Sequence, residues 1–404
     1  MLRIPATTKN LVKRKSPHIL LDGYQLVGGL GSVGTYTCEL VDGLVDAGCR
    51  ITLAIPRREL NSLGEALVAR YPELGIAYPA REVHPDTSYQ QLLIWNHRLI
   101  PEIAKAHLPD FHISVYHHTP SRMPAGTKCL TVIHDCCGLR SDSGYTFMGR
   151  AMLKHWTHLK SAAMFADAIV PISSYTRSSF VKHFPSAKSK TREPIYNCVS
   201  AKRIGVETKI KQLKLLGLET HGYLVGLGMA SKRKGMDMMM RGYSEYRNQS
   251  GRLPLVLYGG GNFEPTAWGL DSAHCDSVRK LGRISDETRD SLFAGATALL
   301  FPSRCEGFGY PIIEAAKQGC PVVAWAKTTA SEILPHEDWM EDLEPSVIAE
   351  HIRRKEAMSD EERTATAERL TIQADRFQGA ALASEYMKVF HSLTGGYPEP
   401  LATQ

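Results

Sequence analysis

The chain has 404 residues, 43% of them hydrophobic and 22% charged, and its formal net charge is +6. This length allows two domains of ordinary size, and the composition is that of a soluble globular protein with no stretch as long as a membrane span. Charged residues interrupt the N-terminus where a signal peptide would need an apolar core, so we expect a cytoplasmic protein.

The cysteines and the charge balance say little about partners by themselves. Nine cysteines are scattered without the paired spacing of a zinc site, and the adjacent pair Cys136 and Cys137 is sterically poor for chelation. We expect reduced thiols in a cytosolic protein. The mild positive charge could favour a phosphorylated substrate or peripheral contact with an anionic inner membrane face. An ordinary, slightly basic surface explains it equally well.

The first elements along the chain form a strand, glycine turn, helix and strand. Strands are predicted at residues 18–22 and 50–55, with glycines at 28–31 and a helical pattern at 33–44 between them. Such a turn can bring backbone N–H groups against a phosphate, although glycines that only make the turn explain it equally well. It is not the G-x-G-x-x-G dinucleotide fingerprint.

Histidines follow the next two predicted strands. The strand at 113–116 ends in His117 and His118, and the strand at 129–133 ends in His134. Ligands of doubly wound sheets lie at the carboxyl ends of the strands, so all three histidines are candidates for the site. Packing or capping explains His117 and His118 equally well.

Helices and a linker complete the first half. A helical pattern at 92–106 contains Pro101, which predicts a kink or break there. After a strand at 166–171, Ser173 is a hydroxyl cap for another helix. We place the interdomain linker near 197–220.

The second half repeats the alternation of strands and helices. A strand at 223–228 leads to the basic turn at 231–235, and the Met-rich helix that follows is predicted to pack in a core. The next predicted elements are a strand and glycine turn at 255–261, a helix at 286–292, and a mostly helical, amphipathic segment at 361–390.

One stretch combines a buried strand, a glycine turn and a helix. The apolar run at 296–301 is typical of a buried parallel strand. Gly307 and Gly309 allow a tight turn, and Pro311 suits the first turn of a helix because its missing N–H would be unpaired there. Gly319 is predicted to end that helix.

This geometry favours an anion beside two carboxylates. The first amides of the helix lack partners and carry partial positive charge, so a phosphate is the natural occupant. Glu306 lies in the turn and Glu314 about one turn inside, on the same rim. Carboxylates beside an anion site suit sugar hydroxyls; the alternative is that both are solvated surface glutamates.

Glu306 and Glu314 are separated by seven residues, within Glu-Gly-Phe-Gly-Tyr-Pro. This resembles the Glu-x7-Glu signature of retaining GT-B glycosyltransferases of the family-four group. The resemblance implies an α/β fold of two Rossmann-like, doubly wound domains facing a cleft, with a C-terminal helix that crosses back to the first domain. We expect an acceptor-binding domain at 1–200, a donor-binding domain at 201–375 and the crossover segment at 376–404.

The resemblance also assigns roles to the first-domain and basic-turn residues. Gly29 and Gly31 look like the family's glycine loop near the donor diphosphate, and His134 matches a position near the transferred sugar. Lys234 matches a lysine that pairs with the diphosphate. Met229 stands where the family has an arginine, and Arg233 or Lys232 would have to replace that cation.

In the same way, backbone groups of Arg283 and Ile284 would read the nucleotide base, Glu306 would position the sugar and Glu314 would hold the ribose. The segment at 195–199 resembles the family's hinge strand. The expected catalytic residues are Glu306, His134 and Lys234, and the expected donor-binding residues are Gly29, Gly31, Arg233, Arg283, Ile284, Gly307, Phe308, Gly309, Tyr310, Pro311 and Glu314.

The function implied is transfer of a hexose, with mannose favoured, from a nucleotide-diphosphate sugar to a glycan or lipid-linked acceptor in polysaccharide or lipopolysaccharide biosynthesis. No Asp-x-Asp segment is present, so we expect no metal, and we expect neither a cofactor nor a nucleic-acid partner. Alternatives are a glucosyl or N-acetylglucosaminyl transferase using a UDP-sugar, a GT-B epimerase or phosphorylase, and a scaffold subunit without turnover.

Overall fold

The computed structural model describes residues 16–27, 31–80, 89–141, 143–144, 150–200 and 202–395. Within these residues no helix is both long enough and apolar enough to cross a membrane. Two six-stranded sheets organise the described chain, one in each half.

The first sheet is wholly parallel, with strand order β3-β2-β1-β4-β5-β6. Its central strand β1 pairs with β2 and β4, so that Ile19 faces Ile51 on one side and Phe111 on the other. These three side chains are buried, as expected for a parallel sheet covered by helices on both faces. The strands are β1 (His18–Asp22), β2 (Arg50–Ala54), β3 (Gly75–Ala77), β4 (Phe111–Ser114), β5 (Lys128–Ile133) and β6 (Ala168–Pro171).

The second sheet is also parallel, with strand order β12-β11-β10-β7-β8-β9. The order reverses beside β7, as it does beside β1 in the first sheet, which places a crevice at the carboxyl ends of the strands. The strands are β7 (Leu224–Leu227), β8 (Leu255–Tyr258), β9 (Val278–Gly282), β10 (Ala298–Phe301), β11 (Val322–Trp325) and β12 (Trp339–Met340).

Helices connect the strands and cover the sheets. They are α1 (Ser32–Asp46), α2 (Ser62–Arg70), α3 (Tyr89–Ile94), α4 (Ile100–His107), α5 (Arg150–Phe165), α6 (Ser174–His183), α7 (Val206–Leu215), α8 (Met236–Asn248), α9 (Asp286–Gly295), α10 (Tyr310–Lys317), α11 (Ser331–Ile333), α12 (Pro345–Glu356), α13 (Asp360–Ala374) and α14 (Gly379–Thr394).

The last helix returns to the first domain and completes its core. On α14, the Tyr386 hydroxyl lies 2.5 Å from the Tyr36 hydroxyl of α1, and the Phe390 ring stacks on Phe111 of β4 at 4.3 Å between centroids. All four side chains are fully buried. The prediction of two doubly wound α/β domains with a C-terminal helix crossing back is therefore confirmed.

Two local predictions are also confirmed. The Met-rich start of α8 packs in a core, since Met236, Met239 and Met240 are buried. Pro101 lies in the first turn of α4, directly after a π-helical turn at Trp95–Leu99. A proline cannot donate to the carbonyl four residues earlier, which is a common reason for such an irregularity.

One local prediction was wrong. Residues 195–199 form no strand; the Ile195 amide donates to the Pro171 carbonyl and the Val199 amide to the Phe377 carbonyl, which are single contacts to two different parts of the chain. The expected linker contains a regular helix, α7, whose Leu213 packs in the core. The prediction that residues 361–390 are mostly helical is confirmed, with the helical segment divided into α13 and α14 by residues 375–378.

Candidate functional site

A cavity of about 370 Å³ lies between the two domains at the carboxyl ends of their strands. It brings together most of the predicted donor residues with the predicted catalytic residues. Its lining residues are Ser32, His134, Asp135, Ile172, Asn197, Met229, Arg233, Lys234, Glu306, Gly307, Phe308, Gly309, Tyr310 and Pro311.

A buried ion pair forms the centre of this cavity. Lys234 Nζ lies 2.8 Å from Glu306 Oε1 and 2.9 Å from Oε2. Burial lowers the pKa of Lys234, and the negative charge of Glu306 opposes that shift. The carboxylate and the cation therefore stabilise each other in the wall of the cavity, where both side chains are largely buried.

Neighbouring side chains fix the turn that carries Glu306. Ser303 Oγ donates to Glu306 Oε1 at 2.6 Å and approaches the Arg233 carbonyl at 2.9 Å. Arg304 makes a two-fold contact with Asp237, at 2.6 and 2.7 Å, and so joins this turn to the start of α8. The basic turn and the glutamate turn are thus held as one unit.

Close packing and backbone conformation require glycine at positions 307 and 309 of the turn. A Cβ at Gly307 would lie 1.6 Å from the His134 carbonyl oxygen of the first domain. Gly309 has φ of 95°, a left-handed conformation that favours glycine. The two domains therefore approach backbone to backbone beside the cavity, and any side chain at 307 would separate them.

The N-terminus of α10 opens at the same place. Pro311 has no N–H, and the Ile312 amide already donates to the Gly309 carbonyl at 2.9 Å. This leaves the amides of Gly309 and Tyr310 as the candidates for an anion, a smaller set than the sequence predicted. The Thr329 hydroxyl donates to the Phe308 carbonyl at 2.7 Å and holds the preceding turn.

His134 presents a defined tautomer to the cavity. Its Nε2 lies 2.7 Å from the Val115 carbonyl oxygen, so Nε2 carries the proton and Nδ1 keeps its lone pair. Burial lowers the pKa of His134 to about 4, against the opposing effect of this hydrogen bond. The imidazole is therefore neutral near pH 7 and can accept, through Nδ1, a hydrogen bond from a sugar hydroxyl.

His117 and His118 differ from His134 in that neither lines the cavity. His117 Nε2 accepts from the backbone amides of His134, at 2.9 Å, and Asp135, at 3.3 Å. His117 thus caps the loop that carries His134, which favours the capping interpretation for this residue. His118 Nε2 lies 2.9 Å from His97 Nε2, away from the donor residues.

Glu314 lies outside this cavity. Its Oε1 is 3.2 Å from Arg289 Nη1 of the neighbouring helix α9. Burial raises the pKa of Glu314 to about 7, while the charge of Arg289 opposes the shift. Because this pKa is near 7, the carboxyl can be ionised or protonated, and it can accept a hydrogen bond from a ribose hydroxyl or donate one to it. The role of Glu314 in holding the ribose stays a prediction.

The remaining predicted donor residues lie at the edges or outside the described chain. Gly29 lies outside the described residues, and Gly31 is the N-cap of α1 beside the cavity residue Ser32. Arg283 is exposed, and Ile284 is half-buried next to Gly282. Gly282 lines a second cavity, of about 290 Å³, with the glycines that follow β8.

A cation does stand near the position that the family arginine would occupy. Met229 lines the cavity but is 39% exposed and uncharged. Arg233 lines it too, with Nη1 3.0 Å from the Cys305 carbonyl and 3.7 Å from Glu306 Oε2. Lys232 is exposed and is absent from the lining. Of the two proposed substitutes, the geometry favours Arg233.

Sequence reasoning missed several lining residues. Asp135 directly follows His134 at the end of β5, so its position was an available signal. Ser32, Ile172 and Asn197 also line the cavity, and no local pattern singles them out. Among the described residues, no group of three or more His, Cys, Asp or Glu side chains could hold a metal ion.

A carboxylate from the second domain also caps a helix of the first. Glu332 accepts from the amides of Ser174, at 2.8 Å, and Tyr175, at 2.6 Å, which open α6. Tyr196 also donates to Glu332, at 2.9 Å. Negative charge at a helix N-terminus is favourable, so this contact stabilises the approach of the two domains.

The expectation of reduced cysteines was wrong for two of the nine. Cys137 of the first domain and Cys305 of the second form a disulfide, while the other seven are free. The partners are 168 residues apart, so spacing gave no sign of the pair. The bridge joins the loop that follows His134 to the residue that precedes Glu306.

Two family models match the chain. One, described as Glycosyltransferase Family 4, matches residues 30–203, and the other, described as Glycosyl transferases group 1, matches residues 221–355. The first match contains strands β2 to β6 and the second contains β7 to β12, and together they cover 309 of the 404 residues. The chain belongs to the family 4 group of glycosyltransferases. The family predicted from the Glu-x7-Glu signature is therefore confirmed.

Two curated relatives of this glycosyltransferase are mannosyltransferases by name. O-antigen chain mannosyltransferase B of Escherichia coli is 26% identical over 261 residues, which are 61% of this chain and 66% of that protein. A GDP-mannose-dependent alpha-(1-6)-phosphatidylinositol monomannoside mannosyltransferase of Mycobacterium tuberculosis is 27% identical over 179 residues, 42% of this chain and 46% of that protein. The matched segments thus span just under two thirds and about half of these relatives.

Solved structures agree with the GT-B architecture. WaaG, a glycosyltransferase involved in lipopolysaccharide biosynthesis, matches with a TM-score of 0.71 at 13% identity, covering 94% of this chain and 100% of WaaG. HepE of Anabaena, in complex with UDP and glucose, matches with a TM-score of 0.68 at 16% identity, covering 94% of this chain and 100% of HepE. At this identity the likeness shows the fold alone.

Proposed function

We propose that this glycosyltransferase moves a hexose, with mannose as the first candidate, from a nucleotide-diphosphate sugar to a hydroxyl of a glycan or lipid-linked acceptor, with retention at the anomeric carbon. The observation that carries the proposal is the interdomain cavity, where two cations and the start of α10 face Glu306 and His134. The product would belong to polysaccharide or lipopolysaccharide biosynthesis.

The leaving diphosphate would bind where positive charge is concentrated. Arg233, Lys234, Gly309 and Tyr310 all line the cavity. Charge that develops on the leaving oxygen would be stabilised by donors already in place, and such electrostatic stabilisation supplies much of the rate enhancement in many enzymes. In the free protein Glu306 holds Lys234, so a bound diphosphate would share this cation with the carboxylate.

The sugar would lie between Glu306 and His134. Glu306 would accept hydrogen bonds from the sugar hydroxyls and stabilise positive charge near the anomeric carbon. His134 would accept a further hydrogen bond through its unprotonated Nδ1, because its Nε2–H is engaged by Val115. Retention would follow if the acceptor attacks on the face that the diphosphate leaves, with a phosphate oxygen taking its proton.

The names of the relatives favour a mannosyl donor over the alternatives. One is a GDP-mannose-dependent mannosyltransferase and another acts on the O-antigen chain. A thermal-shift series with GDP-mannose, UDP-glucose and UDP-N-acetylglucosamine tests this. Saturation at 100 times the dissociation constant stabilises a protein by about 2.7 kcal/mol. We expect the largest shift with GDP-mannose; a larger shift with either UDP-sugar would replace mannose with that donor.

Turnover separates an enzyme from a scaffold. Release of GDP from GDP-mannose, in the presence of a mannose-terminated acceptor, should depend on Glu306 but not on the exposed Glu361. We expect this release to persist in EDTA, because the leaving group is assigned to amides and cations rather than to a metal. A protein that binds nucleotides but releases no GDP would support the scaffold alternative.

A further inference from the structure

An apolar ridge lies exposed on α5 of the first domain, outside the donor cavity. Met152 is 48% exposed, Leu153 60% and Met164 57%, and Trp156 and Phe165 are each more than a third exposed. Residues 152, 156, 160 and 164 follow each other at intervals of four, so they form one line along the helix. Large side chains rarely line up in water on a surface without a partner.

The opposite face of α5 is already used by the core. Leu159 and Ala162 are fully buried in a cluster with Ile133 of β5 and Phe180 of α6. The helix is therefore anchored by its inner face, and the exposed ridge is not needed to hold it in place. This arrangement suits a rigid surface that contacts something outside the chain.

The stretch of sequence that contains the ridge is strongly basic. Residues 143–192 contain eight Lys and Arg against a single acidic residue, Asp167, a formal charge of +7. The other 354 residues contain 40 Lys and Arg against 41 acidic residues. Most of the positive excess of the chain thus lies in this stretch, although Asp142 and Glu193 flank it directly. Asp167 is paired with Lys128 at 3.1 Å, and Arg177 with Glu193 at 2.9 Å.

Lysines lie directly beside the apolar side chains. Lys160 Nζ is 4.5 Å from the centre of the Trp156 ring, and Lys190 Nζ donates to the Met164 carbonyl at 3.3 Å. Lys188 is exposed on the same short segment as Lys190. An apolar line that contains a tryptophan and is bordered by lysines is the pattern of a surface that enters the headgroup region of a bilayer.

We propose that the α5 ridge, with the lysines of residues 154–190, docks this glycosyltransferase on an anionic lipid bilayer. Met152, Leu153, Trp156 and Met164 would enter the boundary between headgroups and acyl chains, and the lysines would lie against the lipid phosphates. The docking surface belongs to the domain expected to bind the acceptor, and α5 connects two strands whose carboxyl ends face the cavity. The proposal is independent of the identity of the donor.

The test is co-sedimentation of the full chain with vesicles. One set contains phosphatidylethanolamine with about 30% phosphatidylglycerol, and the other contains only phosphatidylcholine, because the surface attraction depends on anionic lipid. We expect binding to the anionic vesicles that weakens as salt is raised, and at least tenfold weaker binding to the neutral ones. Equal binding to both, or none to the anionic set, would overturn the proposal.

Variants place the contact on the molecule. Met152→Ser with Leu153→Ser, and separately Lys160→Glu with Lys188→Glu, should each weaken anionic-vesicle binding by about tenfold or more. The matched controls on α7 of the second domain are Val206→Ser with Ile210→Ser, and Lys211→Glu with Lys214→Glu, all at exposed or half-buried sites. If the α7 variants lose binding and the α5 variants keep it, the surface is wrongly assigned.

Two further measurements complete the test. Nucleotide-induced thermal shifts should be the same in the wild type and the α5 variants, which shows that the variants are folded and that the donor site is separate. Light scattering should give the same mass for all of them. If the α5 variants convert a dimer into a monomer and the wild type ignores vesicles, the ridge is a contact between two copies and the proposal fails.

Discussion

Lys234 and Glu306 form a two-point ion pair, with Lys234 Nζ 2.8 and 2.9 Å from the two carboxylate oxygens. The side chains are only 14% and 7% exposed. Loss of one partner leaves the other charged and buried, which costs more than loss of both. The pair therefore connects the stability of the second domain to the residues that the proposed chemistry needs.

Glu306→Gln should reduce turnover strongly while nucleotide binding persists. The amide keeps the shape but cannot stabilise positive charge at the sugar, and loss of such a group costs about 10²–10³-fold in kcat. Binding of the free nucleotide diphosphate should be retained, because Lys234 is released from the carboxylate. Single-turnover kinetics and a binding titration measure the two effects, with Glu361→Gln as the exposed control. Unchanged turnover would exclude Glu306 from catalysis.

Lys234→Met should destabilise the protein even without ligand. The buried Glu306 then lacks its cation, and breaking such a pair costs about 3–5 kcal/mol. The double variant Lys234→Met with Glu306→Gln should recover part of this loss, as seen in urea unfolding. Lys232→Met, at the exposed neighbour, should be neutral. A double variant less stable than Lys234→Met alone would contradict the coupling.

His134 should remain uncharged across the working pH range. Because the pKa of His134 is lowered to about 4 in the folded protein, the histidine of the unfolded chain is protonated at a higher pH. Stability should therefore fall as pH decreases from about 6.5 to 4. An NMR titration of labelled histidine should show the His134 resonance shifting near pH 4. His134→Ala should cost about three- to tenfold in kcat/KM, the value of one neutral hydrogen bond. A transition near pH 6.5 would refute the buried neutral state.

Glu39 makes the interdomain contact sensitive to pH. It lies on α1, with its carboxylate 3.3 Å from the Ser200 amide and 3.4 Å from the Tyr310 hydroxyl. Burial raises its pKa to about 7. Between pH 4.5 and 7 the Glu39 carboxyl is protonated in the folded protein and ionised in the unfolded chain. The contribution of Glu39 to the free energy of unfolding therefore declines as pH rises from about 4.5 to 7.

Glu39→Gln should remove that decline. We expect the variant to gain about 1–3 kcal/mol over the wild type at pH 8 and to match it near pH 4. Chemical unfolding at both pH values measures the difference. Glu65→Gln, an exposed change on α2, is the control. The denaturant midpoint of the wild type could instead rise between pH 5 and 7 by the same amount as that of the variant. That result would show that Glu39 is ionised throughout this pH range.

Counting free thiols tests the disulfide between Cys137 and Cys305. Under denaturing conditions without reductant, the wild type should expose the seven free thiols, and all nine after reduction. Cys305→Ser should expose eight without reductant, because Cys137 is then unpaired, whereas Cys129→Ser should expose six. Nine accessible thiols before reduction would mean that the two domains are not bridged.

The features that follow from local pattern could be predicted from the sequence. The four residues of β10 are all apolar and all buried, and Pro311 lies in the first turn of α10, as the missing N–H requires. The left-handed φ of Gly309 follows from the need to turn directly from the strand region into that helix. These are properties of neighbours in the chain.

The features that depend on distant partners could not be predicted. Spacing placed Glu314 beside the ligand, but its ion-pair partner Arg289 belongs to another helix. The sequence assigned Lys234 to the diphosphate and Glu306 to the sugar. In the structure these two residues, 72 apart in sequence, form one hydrogen-bonded pair. Local periodicity carries no information about such contacts, and this is also why Cys137 and Cys305 were missed.

The return of α14 has a consequence for biosynthesis. Phe390 and Tyr386 complete the packing of β4 and α1, which are made several hundred residues earlier. The amino-terminal half therefore leaves the ribosome with an open groove in its interior, and it must wait for the final helix before that interior is sealed. A nascent chain stalled before residue 379 should be a client for chaperones and readily cut by proteases, however well its own strands have paired.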